Sequence, residues 1–182
     1  MTLPARSILP NFKSKVKLPS GHRFFKDCLR ESFARWISWA TSVFPSENVW
    51  FVTVTFKREV TYTKALRMSH YWLGRLIQAY LYKTGYRIRW IRTLAFQKRG
   101  VIHFHLLVCG QDLGLLSRKR WEHRWQTIDW NAGTCRIYES DADKPRYLAR
   151  EITKEGDISW GGNWQGLRTP GAVRCCDSHA QH

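Results

Sequence analysis

The fold is decided by the stretch Gln97-Lys98-Arg99-Gly100-Val101-Ile102-His103-Phe104-His105-Leu106-Leu107-Val108. Because successive side chains of a β-strand point to opposite faces, His103 and His105 are expected on one exposed face of a strand. The alternating apolar side chains then face a core: Ile102, Phe104, Leu106 and Val108. Two imidazoles about 7 Å apart along a strand can reach one metal ion. These residues alone leave two interpretations open, a metal site and a half-exposed strand that carries two histidines.

The turn before this strand sets its register. Lys98-Arg99-Gly100 is expected to fold the strand back on residues 88–97 as a β-hairpin. A hairpin that is tight at this turn puts Ala95 roughly opposite His103, with Gln97 on the same face as Ala95. A methyl group therefore faces His103 across the hairpin, and Gln97 offers a neutral amide oxygen nearby.

The hydrophobic periodicity predicts seven elements from residue 49 onward. Their order is strand, helix, strand, strand, helix, strand and helix, which is the split βαβ order of the ferredoxin-like α+β fold. In that fold the first and third strands are central in an antiparallel sheet, and two helices cover one face. The histidines are then expected on the open face, with the last helix as a C-terminal nucleophile helix against or beside it. The predicted bounds are 24–43, 63–83, 116–130 and 144–155 for the helices, with Asp143 as the last N-cap, and 49–56, 88–97 and 134–139 for the other strands.

We expect three segments, a basic flexible arm at 1–22, one domain with an N-terminal helix at 23–166, and a C-terminal tail at 167–182. Lys13, Lys15 and Lys17 alternate in the arm. Contact with phosphates and a purely solubilising function are both open for this arm.

The formal net charge of +16 on 182 residues indicates a polyanionic partner, of which nucleic acid is the first candidate. Ten tryptophans, seven tyrosines and nine phenylalanines accompany this charge. A basic surface with interleaved aromatic rings favours single-stranded nucleic acid, because phosphates meet cations while bases stack on rings. No apolar run approaches the ~18 residues of a membrane span, so no membrane partner is expected. The sequence also has no GxxxxGK[ST] phosphate loop.

The five cysteines do not form a disulfide pattern. Their number is odd, their spacing is uneven and no secretory segment is recognisable, which favours a reducing, cytoplasmic compartment in a host cell. Cys175, Cys176 and His179 could form a soft-metal tail, but their spacing fits no established site.

A second group of functional residues lies on the last predicted helix. Tyr147, Arg150, Glu151 and Lys154 share one face at helical spacing, and Leu148 with Ile152 is expected on the buried face. A phenol has a pKa near ~10, so attack at neutral pH needs nearby positive charge or a base. A nucleophile helix and an ordinary amphipathic helix with a solvated charged face both fit this pattern.

Together these motifs resemble the HUH endonucleases, and more narrowly the rolling-circle replication initiator (Rep) proteins of small phages and plasmids. The resemblance covers residues 49–166. It rests on the Gln97 to His105 stretch followed by Tyr147-Leu148-Ala149-Arg150 and Lys154. The strand Val52–Phe56, the Trp121 to Trp125 helix and the Trp160 to Trp164 stretch are also similar to regions of those initiators.

The resemblance implies a mechanism. His103 and His105, with Gln97, would hold Mg²⁺ or Mn²⁺, and Tyr147 would attack a phosphate of single-stranded or hairpin origin DNA to leave a 5′-phosphotyrosine link. Arg150 and Lys154 would position phosphates, and a host helicase is a further expected partner. Further DNA contacts are expected from Lys98, Arg99, Arg146, Trp160 and Trp164.

The chain departs from the family pattern at two positions. Arg150 stands where a lysine is usual, and Ala95 stands where a glutamate commonly supplies a third metal ligand. Weaker metal binding is expected, with Glu59, Glu139 or Asp141 as candidate replacements. Two other functions therefore stay open, a Rep-like DNA-binding or interfering protein with weakened nuclease activity and a short HUH transposase.

Overall fold

The computed structural model of this chain describes residues 23–97, 99–141, 143–155 and 157–162. Its helices are α1 (Arg23–Ser42), α2 (Tyr62–Thr84), α3 (Arg118–Gln126) and α4 (Lys144–Glu155). Its strands are β1 (Val49–Phe56), β2 (Arg89–Phe96), β3 (Ile102–Cys109), β4 (Ala132–Glu139) and β5 (Ile158–Gly161). The predicted arm 1–22 and the tail 167–182, with Cys175, Cys176 and His179, lie outside the described residues, and so do Lys98 and Trp164.

The five strands form one antiparallel sheet in the order β4-β1-β3-β2-β5. The order of its first four strands is that of the ferredoxin-like fold, so the α+β, split βαβ prediction is confirmed. β3, the strand with the two histidines, is central as predicted. A short fifth strand, β5, extends the sheet beyond β2.

One face of the sheet carries the larger hydrophobic core under α2 and α3. β3 contributes Ile102, Phe104, Leu106 and Val108 to this core, as its alternation predicts. The helices contribute large aromatic side chains, each worth about 2 kcal/mol or more when removed from water. The largest of these are Trp72, Tyr80, Trp121 and Trp125.

The opposite face, which carries His103 and His105, is covered by α1 and α4. Ile37 of α1 and Leu148, Ala149 and Ile152 of α4 pack in one core with Leu107 of β3. The expectation of an open face is therefore wrong over β3, where His105 is only 4% exposed. Each of these amphipathic helices has an apolar side to bury, and the sheet face between them is the surface that accepts both.

Two helix ends differ from the predicted bounds. α3 ends at Gln126 rather than 130, because Thr127 caps it and Asp129 then accepts from the Asn131 amide to start a turn. At the start of α4, the carboxylate of Asp141 accepts from the amides of Asp143 and Lys144. The side-chain cap is therefore Asp141, while Asp143 contributes its carbonyl to Tyr147. Among the described helices, none is both long and apolar enough to cross a membrane.

Candidate active site

β3 holds the two histidines between small side chains. His103 lies between Thr55 of β1 and Ala95 of β2, which confirms the predicted register of the hairpin. His105 lies in the next row of that face, between Thr53 and Thr93. Because the sheet is continuous on both sides of β3, the backbone positions of both imidazoles are fixed.

The two imidazoles converge through their Nε2 atoms, which are 3.0 Å apart. Nδ1 of His105 lies 3.0 Å from Oγ1 of Thr53. A proton on Nδ1 donates to that hydroxyl and leaves the Nε2 lone pair of His105 pointing towards His103. Two nitrogens at this separation share a proton or a cation, because two lone pairs would otherwise repel.

His105 is held in its neutral form. Burial lowers its pKa from the ordinary 6.5 to about 3, and the positive charges of His103 and Arg150 act in the same direction. The ring of Phe51 stacks on His105 at 5.5 Å between centroids and 19° between planes, which adds to this desolvation. A neutral imidazole is the form that accepts hydrogen bonds and binds metals.

Tyr147 reaches the same point from α4. Its hydroxyl lies 3.1 Å from Nε2 of His105, and its ring packs edge-on against Phe51 at 5.8 Å. The neighbouring residues Leu148 and Ala149 are fully buried and anchor this turn of the helix to the core. The predicted metal-ligand strand and the predicted nucleophile are therefore in contact.

The charges around Tyr147 act in opposite directions. Burial raises the pKa of Tyr147 above its usual value and Glu151 adds to that rise, while Arg150 and Lys154 oppose it. The guanidinium carbon of Arg150 lies 4.8 Å from the centroid of the Tyr147 ring, and its Nε is 3.3 Å from Oε1 of Glu151. Glu151 is only 7% exposed, so it does not lie on a solvated charged face.

Residues 49–156 match the family model of the replication-associated protein ORF2. The chain belongs to this family. The matched region runs from β1 to the end of α4, so it contains His103, His105 and Tyr147. Membership supports the resemblance to rolling-circle replication initiators and indicates a role in replication. No curated protein and no solved structure matches this chain.

Other residues predicted for the site of this family member lie apart from the Tyr147 and His105 contact. The amide oxygen of Gln97 accepts from Nε of Arg99 at 2.7 Å, and Nη2 of Arg99 donates to the Phe56 carbonyl at 2.8 Å. These bonds tie the hairpin turn to the end of β1. Arg146 and Lys154 are exposed on α4, and Trp160 is 37% exposed on β5. Metal binding by Gln97 and DNA binding by these residues stay predictions.

The candidate replacements for a third metal ligand are engaged elsewhere or remote. Oε1 of Glu139 lies 3.0 Å from Arg118, and Asp141 caps α4 and pairs with Lys144 at 3.3 Å. Within the described ranges, no three His, Cys, Asp or Glu side chains come together as a metal-binding group. Sequence reasoning missed Phe51 and Thr53, although they share a face with Thr55 on β1 and that alternation is a usable signal.

Proposed function

We propose that this chain is an HUH-type endonuclease that nicks and rejoins single-stranded DNA to initiate rolling-circle replication. The observation that carries the proposal is the 3.1 Å contact between the Tyr147 hydroxyl and Nε2 of His105. A nucleophile candidate thus meets a buried pair of converging imidazoles in a chain of a replication-associated family. The net charge of +16 suits a polyanionic substrate.

The proposed reaction is a reversible transesterification. The Tyr147 oxygen attacks phosphorus, an O–P bond to tyrosine forms, and the bond to the 3′ oxygen breaks. The product is a 5′-phosphotyrosine with a free 3′-hydroxyl, and the phenol proton is accounted for on that departing hydroxyl. His105, with a pKa of about 3, orients the phenol and does not retain its proton. Attack by the 3′-hydroxyl on the phosphotyrosine rejoins the strand.

The two imidazoles fit as nitrogen ligands of Mg²⁺ or Mn²⁺. Their Nε2 separation of 3.0 Å equals that of neighbouring ligands about 2.1 Å from an octahedral ion. When bound, such an ion polarises the scissile phosphate. Gln97 is the proposed additional ligand, and reaching the site requires that it release Arg99.

The cations on α4 have separate proposed roles. Arg150, beside the Tyr147 ring, stabilises phenolate and phosphate charge, and Lys154 one turn further on positions the phosphate. DNA contacts are proposed for Lys98, Arg99, Arg146, Trp160 and Trp164. The proposed partners are single-stranded or hairpin origin DNA and a host helicase, in the cytoplasm of a host cell.

A DNA-binding protein with weakened nuclease activity is the second candidate. It is favoured by the methyl group of Ala95 opposite His103 and by the lack of a three-residue metal-binding group in the described chain. Such a protein would bind origin DNA equally well in the presence of a chelator.

One experiment separates the two functions. The chain is incubated with circular and hairpin single-stranded DNAs and Mn²⁺, and denaturant-stable adducts are mapped by mass spectrometry. The nuclease predicts attachment at Tyr147, with loss of the adduct in Tyr147→Phe and in the presence of EDTA. Equal adduct in Tyr147→Phe, or DNA binding without any adduct, rejects the nuclease; only the latter favours the binding protein.

A further inference from the structure

Six residues form a strip of cations and aromatic rings along α2 and α3, on the side of the sheet opposite Tyr147. We call them the α2–α3 strip: Arg58, Lys64, Tyr71, Arg75, Arg124 and Trp130. Lys64, Tyr71 and Arg75 lie on one stripe of α2, because seven and four residues are close to whole numbers of helical turns. The stripe is about 16 Å long at about 1.5 Å per residue.

Trp130 forms one end of the strip, and its indole ring is 68% exposed. Single exposed apolar residues are common and need no explanation, but two cations flank this ring. The guanidinium carbon of Arg58 lies 5.6 Å from the ring centroid and Nζ of Lys64 lies 5.3 Å from it. Lys64 is in turn held by Asp129 at 3.3 Å.

The loop that carries Trp130 is fixed on both sides. Asp129 accepts from the Asn131 amide at 2.8 Å, and the Asn131 carbonyl accepts from the Lys57 amide at 2.9 Å. Asn131 is itself buried. The indole is therefore held in water on a rigid mount, which keeps the entropic cost of binding at this ring low.

A groove of about 310 Å³ between α2 and α3 forms the other part of the strip. Tyr71, Arg75 and Arg124 line it together with Trp72 and Trp121, and its described lining contains no carboxylate. Arg124 lies over the Trp121 ring at 4.7 Å, which orients the guanidinium at the groove wall. A groove of this volume is at the lower end of the range for small-molecule sites, so it accommodates a nucleotide-sized group.

The chemistry of the strip matches single-stranded nucleic acid. Its four cations suit phosphates, and an exposed indole offers a flat surface on which an unpaired base stacks. A duplex has no free base face to place on that ring. The length of the stripe corresponds to about four or five nucleotides at about 3.4 Å each.

The strip also begins at the end of the sheet where the candidate active site lies. Thr55 pairs with His103, and Lys57, two residues further along, bonds to Asn131 beside Trp130. Two strand spacings of about 4.8 Å and two residues of about 3.3 Å put the Asn131 backbone about 12 Å from that of His103. A strand that leaves the site around this end therefore meets Trp130 first.

We propose that the α2–α3 strip is a second binding site, which takes the single-stranded DNA that flanks the cleavage site. A base stacks on Trp130 and the phosphates run along Lys64, Arg75 and Arg124. The identity of the strand as the cleaved one rests on the proposed nuclease function, whereas the binding itself does not.

The test measures binding without cleavage. Fluorescence anisotropy follows a 12-nucleotide single strand on the full chain carrying Tyr147→Phe, in EDTA and at several salt concentrations. Added Trp130→Ala should weaken binding about fivefold or more, the lower end for one stacked base, whereas Trp130→Phe should retain most of it. Arg75→Gln with Arg124→Gln should reduce the log–log salt slope by about 1.4, twice the single-strand value. Tyr86→Ala removes an exposed aromatic ring beyond the far end of α2 and is the matched control.

Two results would overturn the strip. One is binding by Trp130→Ala within twofold of its parent, and the other is an equal loss for a blunt duplex of the same sequence. Photocrosslinking of a 5-iodouracil strand to Trp130, read by mass spectrometry, supports the strip independently of affinity. Adduct formation at Tyr147 is scored separately, so loss of the adduct with a persistent Trp130 effect rejects only the nuclease. An intact adduct with no Trp130 effect rejects only the strip.

Discussion

The hydroxyl of Tyr147 lies 3.1 Å from Nε2 of His105, across 42 residues of sequence. The contact forms because α4 packs through Leu148 and Ile152 on the face of the sheet where His105 is buried. Phe51 contacts both rings and aligns them. The reactivity of the tyrosine therefore depends on the seating of α4 as much as on its own chemistry.

We expect His105 to make folding sensitive to mild acid in the metal-free protein. The unfolded chain takes up a proton on this residue near pH 6.5, whereas burial delays uptake in the folded chain to about pH 3. The contribution of His105 is therefore intact above pH 6.5 and falls as the pH drops through this window, by up to about 1.4 kcal/mol per pH unit. Urea unfolding at pH 7, 6, 5 and 4 should give a steeper loss for the parent than for His105→Gln. Parallel curves would contradict the buried neutral histidine.

Arg150 should act on the rate of adduct formation. It lies beside the Tyr147 ring and lowers the pKa of that phenol against the effect of burial. Arg150→Gln should reduce the rate at saturating DNA by about tenfold or more, while Arg150→Lys retains the charge and most of the rate. Arg146→Gln, on an exposed position of the same helix, should instead raise the DNA concentration needed. Equal rates in Arg150→Gln and the parent would remove Arg150 from the mechanism.

A carboxylate at position 95 should strengthen metal binding. Ala95 is fully buried and directly opposite His103, so Ala95→Glu puts a charged oxygen next to the imidazole. Without metal this variant should be less stable, because a buried carboxylate lacks a partner. With Mn²⁺ its melting temperature should rise at about tenfold lower metal concentration than that of the parent. Ala95→Gln is the neutral control, and a similar metal response in the two variants would speak against a metal at this site.

The packing of α1 on α4 should support the position of Tyr147. Ile37 is fully buried in the core that α1 and α4 share. Ile37→Ala should cost about 2 to 4 kcal/mol of unfolding free energy and should slow adduct formation at temperatures where the protein is still folded. Val43→Ala, at a half-exposed position just after α1, is the comparison and should change neither quantity appreciably. A destabilised Ile37→Ala protein with an unchanged rate would separate α1 from the site.

Local patterns predicted a large part of this site. The alternation of β3 was sufficient to put His103 and His105 on one face, and the tight turn at Gly100 was sufficient to put Ala95 opposite His103. Helical spacing grouped Tyr147 with Arg150. These features depend on the period of one element or on one turn, so neighbouring residues specify them.

Other features did not follow from any local pattern. The spacing of Glu151 suggested a solvated face, yet the residue is buried beside Arg150. Gln97 lies on the expected face of the hairpin, yet its amide oxygen is bonded to Arg99. Trp130 was assigned to a helix that ends before it, and its exposure depends on the turn that Asp129 forms with Asn131.

The sequence by itself determined the order of the elements, the face of β3 that carries the histidines and the residue that faces His103. Only the tertiary structure decided that α1 and α4 cover that face, that His105 is therefore neutral, and that Tyr147 touches it. The physical reason is that strand and helix periods are local properties of the chain. Burial, and the pKa values that depend on it, are set by which distant apolar surfaces pack together.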